Sequence, residues 1–289
     1  MNYIAIIGLG HAFQKQYDAL KNINKSNIEL CDNDPNKIIK YNCKSNYLNL
    51  HSDTIIIATS PKIHLEMINN LIKQNKNIIC EKPIVTNLSE LNKLKENIKK
   101  DKYYNALHFS FGLEIEYFLK NINLKPNKIY AYVSDNYVKN HKIKKEALTL
   151  CGSYLDEVIN PLSAVSRMFG YNIKFISVDK KIYKDDIYDY YSLSKFEVET
   201  IPFTVEVLWD NKPSQKYIDL YYDKFIIRLD SMNQKVINLT TNEILFEGIG
   251  DRMTNHYLGV FKDYLLNKSN YNISIKLHEE LLKGASNEN

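Results

Sequence analysis

The residues of this chain best suited to chemistry are Glu81-Lys82-Pro83, which follow directly on the apolar run Asn77-Ile78-Ile79-Cys80. Packing alone does not call for a charged pair and a proline at such a point. A strand ending there delivers an ammonium group to the carboxyl edge of a parallel sheet, where open α/β folds bind their ligands. A lysine held in such a cleft can donate a proton to a carbonyl or help remove one from a hydroxyl. Desolvation there lowers its pKa toward the range that role needs. Pro83 confines Lys82 to extended backbone and helps fix its direction. Glu81 either pairs with Lys82 or points back into the fold. The plainer reading of Lys82 is a surface lysine at a strand end.

A second group opens the chain. Gly8-Leu9-Gly10-His11 follow the apolar Tyr3–Ile7 and precede a helical pattern. In that context two glycines let the backbone turn tightly and approach a pyrophosphate, which rests on the helix N-terminus. The third small residue of the full fingerprint falls at Phe13, which would crowd the helix–strand contact. A plain tight turn is the alternative. Asp32 ends the second strand, where an acid receives ribose hydroxyls and repels a 2′-phosphate; with Asn33 beside it, NAD is expected over NADP. The run Asp32-Asn33-Asp34-Pro35 is also good turn chemistry in its own right. Thr59-Ser60-Pro61 ends the third strand, and its loop is expected to pass over the nicotinamide side of a dinucleotide. His64, on the helix that follows, reads as a structural or capping residue.

A third group runs from Cys151 to Asn160 as Cys-Gly-Ser-Tyr-Leu-Asp-Glu-Val-Ile-Asn. Asp156 and Asn160 are four residues apart and share one face of a helix. Gly152, beside the helix start, allows close approach of a substrate or another domain.

These groups need elements to position them. Residues 1–120 alternate short apolar strands (Tyr3–Ile7, Ile28–Cys31, Thr54–Ala58, Asn77–Cys80, Tyr104–Phe109) with helical stretches (Phe13–Asn22, Pro35–Asn42, Ile63–Gln74, Ser89–Lys99). That alternation predicts a doubly wound parallel sheet, an α/β Rossmann domain. Residues 121–289 change pattern. Seven stretches of alternating polarity, from Lys128–Ser134 to Lys235–Leu239, predict an α+β domain on a large open antiparallel sheet. Helices are expected at Ser153–Phe169, Arg252–Leu266 and Ile275–Lys283.

Composition narrows the function classes. Net charge is only +4, from 38 basic and 34 acidic side chains spread along the chain, too little to argue for nucleic acid. The run Lys139–Lys145 reads as a solvated loop, with an anionic substrate the less favoured alternative. Cys31, Cys43, Cys80 and Cys151 show no metal or disulfide spacing. No apolar run approaches the roughly 18 residues of a membrane span. The sequence enters its first strand without a signal peptide, so a cytoplasmic protein is expected.

With these residues in view the chain resembles the Gfo/Idh/MocA oxidoreductases, relatives of glucose–fructose oxidoreductase and inositol dehydrogenase. The resemblance rests on Ile7-Gly8-Leu9-Gly10, Ala58-Thr59-Ser60-Pro61 through His64, Glu81-Lys82-Pro83 and Gly152–Asn160. It implies a Rossmann domain followed by an antiparallel-sheet domain that often makes homo-oligomers. It also implies an enzyme moving hydride to or from a hydroxyl or carbonyl of a sugar, cyclitol or nucleotide-linked sugar. In those terms Gly8, Leu9, Gly10, His11, Asp32, Asn33, Thr59, Ser60, Glu81 and Lys82 hold NAD. Lys82 is the catalytic lysine, and Asp156 orients substrate. The family's acid–base histidine falls at Asn160, which can hydrogen-bond a hydroxyl but cannot carry a proton at neutral pH. Cys151 stands for a glycine, and Ser110 for a common arginine. Lys82 would then act alone or through Tyr154 or His108. Two alternatives follow: a catalytically silent dinucleotide or sugar sensor, and a reductase of a non-sugar ligand such as a linear tetrapyrrole.

Overall fold

The computed structural model describes residues 3–23, 27–184 and 186–285. The chain divides into two compact units. The first comprises residues up to Ala106 together with Tyr257–Ile275; the second comprises Leu107–His256 and the residues from Lys276 onward. Where a single cut near residue 120 was expected, the first unit closes at Ala106 and takes back a later segment.

The first unit is a five-stranded parallel sheet in the order β2-β1-β3-β4-β5. Its strands are β1 (Ile4–Ile7), β2 (Ile28–Cys31), β3 (Thr54–Ile57), β4 (Asn77–Glu81) and β5 (Tyr103–Ala106). All four residues of β1 and of β3 are buried, as strands covered on both faces require. Between them lie α1 (Phe13–Ile23), α2 (Pro35–Tyr41), α3 (His64–Lys73) and α4 (Leu88–Asn97). Local chemistry sets their ends. Asp34 caps α2 by accepting from Asn36 N, Pro35 occupies its first turn, and Asn42 closes it in the left-handed region. Helix α4 starts earlier than its weak sequence signal suggests. Asn87 accepts from Glu90 N at 2.9 Å, and the Glu90 carboxylate accepts in turn from Thr86 N at 2.9 Å.

The edge strand β5 is covered from within the same unit. Asn270 accepts from Asn105 N at 2.8 Å and donates to Asn105 O at 2.9 Å, occupying the ladder positions a further strand would take. Tyr104 donates to Asp263 at 2.5 Å beside it.

The second unit carries an eight-stranded sheet in the order β15-β14-β13-β12-β6-β11-β10-β9. These are β6 (Lys128–Asp135), β9 (Ile173–Ile182), β10 (Asp189–Val198), β11 (Ile201–Trp209), β12 (Gln215–Tyr221), β13 (Ile226–Asp230), β14 (Lys235–Asn238) and β15 (Glu243–Glu247). Every pairing is antiparallel except β6 with β11. The alternation is regular: Ile129, Ala131 and Val133 of β6 are buried, as are Ile201, Phe203, Val205, Val207 and Trp209 of β11. Helices α5 (Leu113–Asn121), α6 (Ser153–Glu157) and α7 (Ile159–Phe169) pack on the sheet.

Several elements depart from the sequence pattern. The predicted strand Tyr104–Phe109 ends at Ala106, and a 3-10 turn takes His108–Phe111. The expected helix Ser153–Phe169 is two segments meeting at Val158. The basic run forms the hairpin β7 (Val138–Lys139) and β8 (Lys142–Ile143). Two long helices, α8 (Arg252–Asn267) and α9 (Tyr271–Ala285), complete the chain. Among the described residues no helix is long and apolar enough to cross a membrane.

Candidate functional site

In the first unit the glycine turn stands at the carboxyl edge of β1. Gly8 has φ +91°, and a Cβ added there would fall 2.6 Å from Ala58 O, so the protein itself demands glycine at this position. Gly10 differs. A Cβ there would meet nothing within 4 Å, so no protein atom explains its lack of a side chain. The turn thus leaves backbone facing open space just ahead of helix α1, the arrangement a pyrophosphate fits. Phe13 does not crowd the helix–strand contact. It is buried with its ring 5.8 Å from Tyr17 and 5.2 Å from Tyr41 of α2. His11 is exposed on the turn and Leu9 is buried.

Asp32 is buried and holds this turn. Its Oδ2 accepts from Leu9 N at 2.7 Å and from Lys37 Nζ at 3.1 Å, while Oδ1 accepts from Asp34 N at 2.9 Å. Burial works to raise its pKa, but the Asp34 and Leu9 amides and the Lys37 ammonium outweigh it and hold the carboxyl below its usual value. An ionised carboxylate has about four lone-pair positions, so Asp32 retains accepting capacity beyond these three bonds. Asn33 beside it is exposed.

Glu81 takes the inward of its two readings. Its Oε1 accepts from Gln16 Nε2 at 2.6 Å and from Tyr257 OH at 2.7 Å, and Oε2 accepts from Lys82 N at 3.3 Å. Burial raises its pKa against those bonds and the nearby Lys82 charge. This internal anchor fixes the end of β4 from α1 and α8, leaving Lys82 half-buried after it; the Lys82–Pro83 bond is cis. His64 is scaffold. Fully buried, it lies 3.0 Å from Pro83 O through Nδ1 and 3.1 Å from Thr59 O through Nε2. It therefore packs between the loops that carry Thr59-Ser60 and Lys82, and as a neutral ring with one N–H it donates to one of the two carbonyls. Burial lowers its pKa to about 4, which makes it neutral near pH 7.

In the second unit, residues 151–160 are all buried. Gly152 has φ +96°, and a Cβ there would fall 2.5 Å from Asp189 Oδ1. Its close neighbour is thus a carboxylate of β10. Asp189 accepts from Ser153 Oγ at 2.5 Å and Tyr154 N at 2.7 Å, a negative charge on the first turn of α6. Tyr154 is structural: its hydroxyl donates to Leu281 O at 2.7 Å, and burial drives its pKa far up. His108 lies 3.3 Å from His256, Nδ1 to Nδ1. Asn160 donates through Nδ2 to Glu157 Oε2 at 2.8 Å.

That last bond leads to groups the sequence reading did not single out. Lys216 Nζ lies 2.6 Å from Asp135 Oδ2 and 3.1 Å from both oxygens of Glu157. Asp135 continues the inward phase of β6 after Ile129, Ala131 and Val133; Lys216 begins the inward phase of β12 before Ile218 and Leu220. Charge in a buried phase was the available signal. Burial tends to deprotonate Lys216, but the Glu157 and Asp135 charges outweigh it and keep it an ammonium. Burial, then the Glu157 charge, raise the Asp135 pKa. Burial, then the charges of Asp156, Asp135, Glu157 and Glu146, push the Tyr137 hydroxyl pKa far up.

Comparison with known proteins agrees with this architecture. Residues 3–107 match the family described as "Oxidoreductase family, NAD-binding Rossmann fold" (GFO_IDH_MocA). The match ends at residue 107, and over that segment the chain is similar to this NAD-binding oxidoreductase family. No curated protein matches the sequence. Among solved structures, UDP-N-acetylglucosamine 3-dehydrogenase from Acidithiobacillus ferrooxidans superposes with TM-score 0.76 at 12% identity, over 98% of this chain and 96% of that one. A 3-ketoreductase from Actinomadura kijaniata, in complex with TDP-benzene and NADP, gives 0.79 at 10% identity over 98% and 96%. An oxidoreductase from Agrobacterium radiobacter, in complex with NAD+, L-tartaric acid and magnesium, gives 0.76 at 15% identity over 99% and 96%. At these identities the likeness is one of fold, and it covers both units.

Proposed function

We propose that the protein is an NAD-dependent oxidoreductase acting on a secondary alcohol or ketone of a sugar, cyclitol or nucleotide-linked sugar. The observation that carries this reading is Lys82, presented at the end of β4 by a buried, fully engaged Glu81 in a unit whose Gly8–Gly10 turn leaves open backbone. Gly8, Leu9, Gly10, His11, Asp32 and Asn33 would hold the adenosine and pyrophosphate end, with Thr59, Ser60 and Lys82 at the other. A nicotinamide held there supplies or accepts the hydride. Lys82 gives a proton to the ligand oxygen in reduction and takes one in oxidation; Asp156 and Asn160 orient its hydroxyls. Names such as UDP-N-acetylglucosamine 3-dehydrogenase among the fold neighbours support a nucleotide-linked sugar.

The half-exposed face of the large sheet supports self-association. Tyr132 and Tyr217 lie 5.5 Å apart there, and the Arg228 guanidinium covers Tyr217 at 3.7 Å. Light scattering of the purified protein tests this, a monomer at micromolar concentration removing it. A second reading, a silent sensor of dinucleotide or sugar, is favoured by Asn160 alone. Calorimetric titration with NADH and NADPH, followed by a screen of sugars and nucleotide sugars, separates the two. Tight NADH binding with turnover is expected. Binding without any turnover would support the sensor, and no binding of either nucleotide would overturn both dinucleotide readings.

A further inference from the structure

An acid at the end of the second strand reads the adenosine ribose of a dinucleotide, and its bare charge turns away a 2′-phosphate. In this protein that charge is not bare. Lys37 Nζ lies 3.1 Å from Asp32 Oδ2, with side-chain exposures of 33% for the lysine and 6% for the acid. The same oxygen accepts from Leu9 N at 2.7 Å, and Oδ1 accepts from Asp34 N at 2.9 Å. The two backbone amides fix the carboxylate, so the lysine comes to the acid and not the reverse. Of about four lone-pair positions three are filled, which leaves one open to a ribose hydroxyl.

The neighbouring charges leave this pairing to Lys37. Asp34, the other acid of the turn, caps α2 by accepting from Asn36 N at 2.9 Å. Lys40 lies over the Tyr41 ring at 5.0 Å, and Lys44 donates to Glu29 at 2.7 Å and to Asn49 O at 2.9 Å. An ammonium carries three donors, and Asp32 takes one of those on Lys37. The other two sit on a side chain that is one-third exposed, beside the carboxylate a ribose would meet. Asn33, exposed next to Asp32 in the chain, adds an amide donor. A hydroxyl arriving there finds an acceptor; a phosphate arriving there finds a cation.

We propose that Lys37 sets the cofactor discrimination of this protein: by offsetting the Asp32 charge it admits a 2′-phosphate at a site that still prefers a free ribose. This role rests on the dinucleotide reading above and concerns binding alone. At a half-exposed site an unpaired carboxylate beside a phosphate would cost roughly 10- to 100-fold in affinity, and an ammonium in contact with it removes most of that cost. NADH keeps its advantage through the hydroxyl that Asp32 can still accept. NADPH is therefore expected to bind at the same place, weaker than NADH by about tenfold or less.

The test is calorimetric titration of the full-length protein with NADH and with NADPH, for the parent, Lys37→Met and Lys37→Arg. The parent should bind both nucleotides. Lys37→Met keeps an unbranched side chain but leaves Asp32 without its counter-charge. It should weaken NADPH by roughly 10- to 100-fold while NADH changes by less than about threefold. Lys37→Arg retains the charge and should retain the parent's ratio. A lysine that only steadied the Asp32 carboxylate would, on removal, weaken both nucleotides together, and that result would overturn the proposal. So would an unchanged ratio in Lys37→Met, or a parent that binds NADH and leaves NADPH unbound. Each of these outcomes leaves the oxidoreductase reading standing. No binding of either nucleotide to the parent overturns the dinucleotide reading and the role of Lys37 with it. The parent's own ratio needs no substitution, so the test survives should a variant fail to fold.

Discussion

Glu114 lies in α5 with its carboxyl fully buried. Ser231 Oγ donates to Oε1 at 2.5 Å, while Oε2 has no hydrogen-bond partner. Burial is the main cause that raises its pKa to about 7, against the opposing bond from Ser231 and the charge of Arg252. An unfolded chain has this group at 4.5. The folded protein therefore binds the proton more tightly, and the stability from this group is full below about pH 4.5 and lost as pH rises through 7. At about 1.4 kcal/mol for each pH unit of difference, the loss amounts to ~3 kcal/mol on the alkaline side. Glu114→Gln keeps the shape and removes the charge. After ~1 kcal/mol for an imperfectly bonded amide, it should be more stable than the parent by ~2 kcal/mol at pH 8 and less stable by ~1 kcal/mol at pH 4.5. Urea unfolding of both proteins across that range gives the difference directly, since every other titrating group cancels. Parallel stability curves would refute the reasoning, and so would a variant less stable at pH 8.

Three further outcomes follow from the first unit. Lys82→Ala should lower turnover by about 10²–10⁴ while NADH affinity, read by calorimetry, changes little; near-normal turnover would take Lys82 out of the mechanism. Asp32→Ala should narrow the preference for NADH over NADPH in competitive titrations, and it should also loosen the glycine turn that Asp32 holds through Leu9 N; an unchanged ratio counts against the ribose assignment. His64 has a depressed folded pKa of about 4 against 6.5, so the folded state binds this proton less readily than the unfolded chain. Its contribution is lost as pH falls from about 6.5 toward 4, and His64→Gln should flatten the acid limb of the stability curve by ~3 kcal/mol.

Much of the first unit was legible because parallel strands announce themselves. Runs such as Ile55–Ile57 and Ile78–Cys80 are apolar throughout, and the turns between the strands carry Gly8, Asp34 and Pro35 in positions whose backbone needs are local. The carboxyl-edge placement of Lys82 follows from that alternation alone. What the sequence could not give was the partner of each polar group when the partner lies far along the chain. Glu81 points inward because Gln16 and Tyr257 are there to receive it, 65 and 176 residues away. Gly152 is a glycine because Asp189, on a later strand, needs the room. The cluster at Lys216 is a different case. A lysine before Ile218 and Leu220 and an aspartate after Ala131 and Val133 break the inward apolar phase at visible positions. Strand periodicity read as a fold signal passes over such breaks, although buried charge is where chemistry or a paired network must be expected.

The return of Tyr257–Ile275 to the first unit has a consequence for how this protein is made. Tyr257 completes the anchor of Glu81, Asp263 receives Tyr104, and Asn270 closes the edge of β5. On a ribosome the parallel sheet emerges first but stays unfinished, with its β5 edge bare and Glu81 short of a donor, until more than 150 intervening residues have been translated. The second unit waits as well, because it takes back the residues from Lys276 onward: Tyr154 donates to Leu281 O, and Phe175 N to Glu280. A nascent chain arrested just past Ala106 would expose both an open strand edge and an unsatisfied buried acid, which makes that interval of synthesis the one in which chaperone binding matters most.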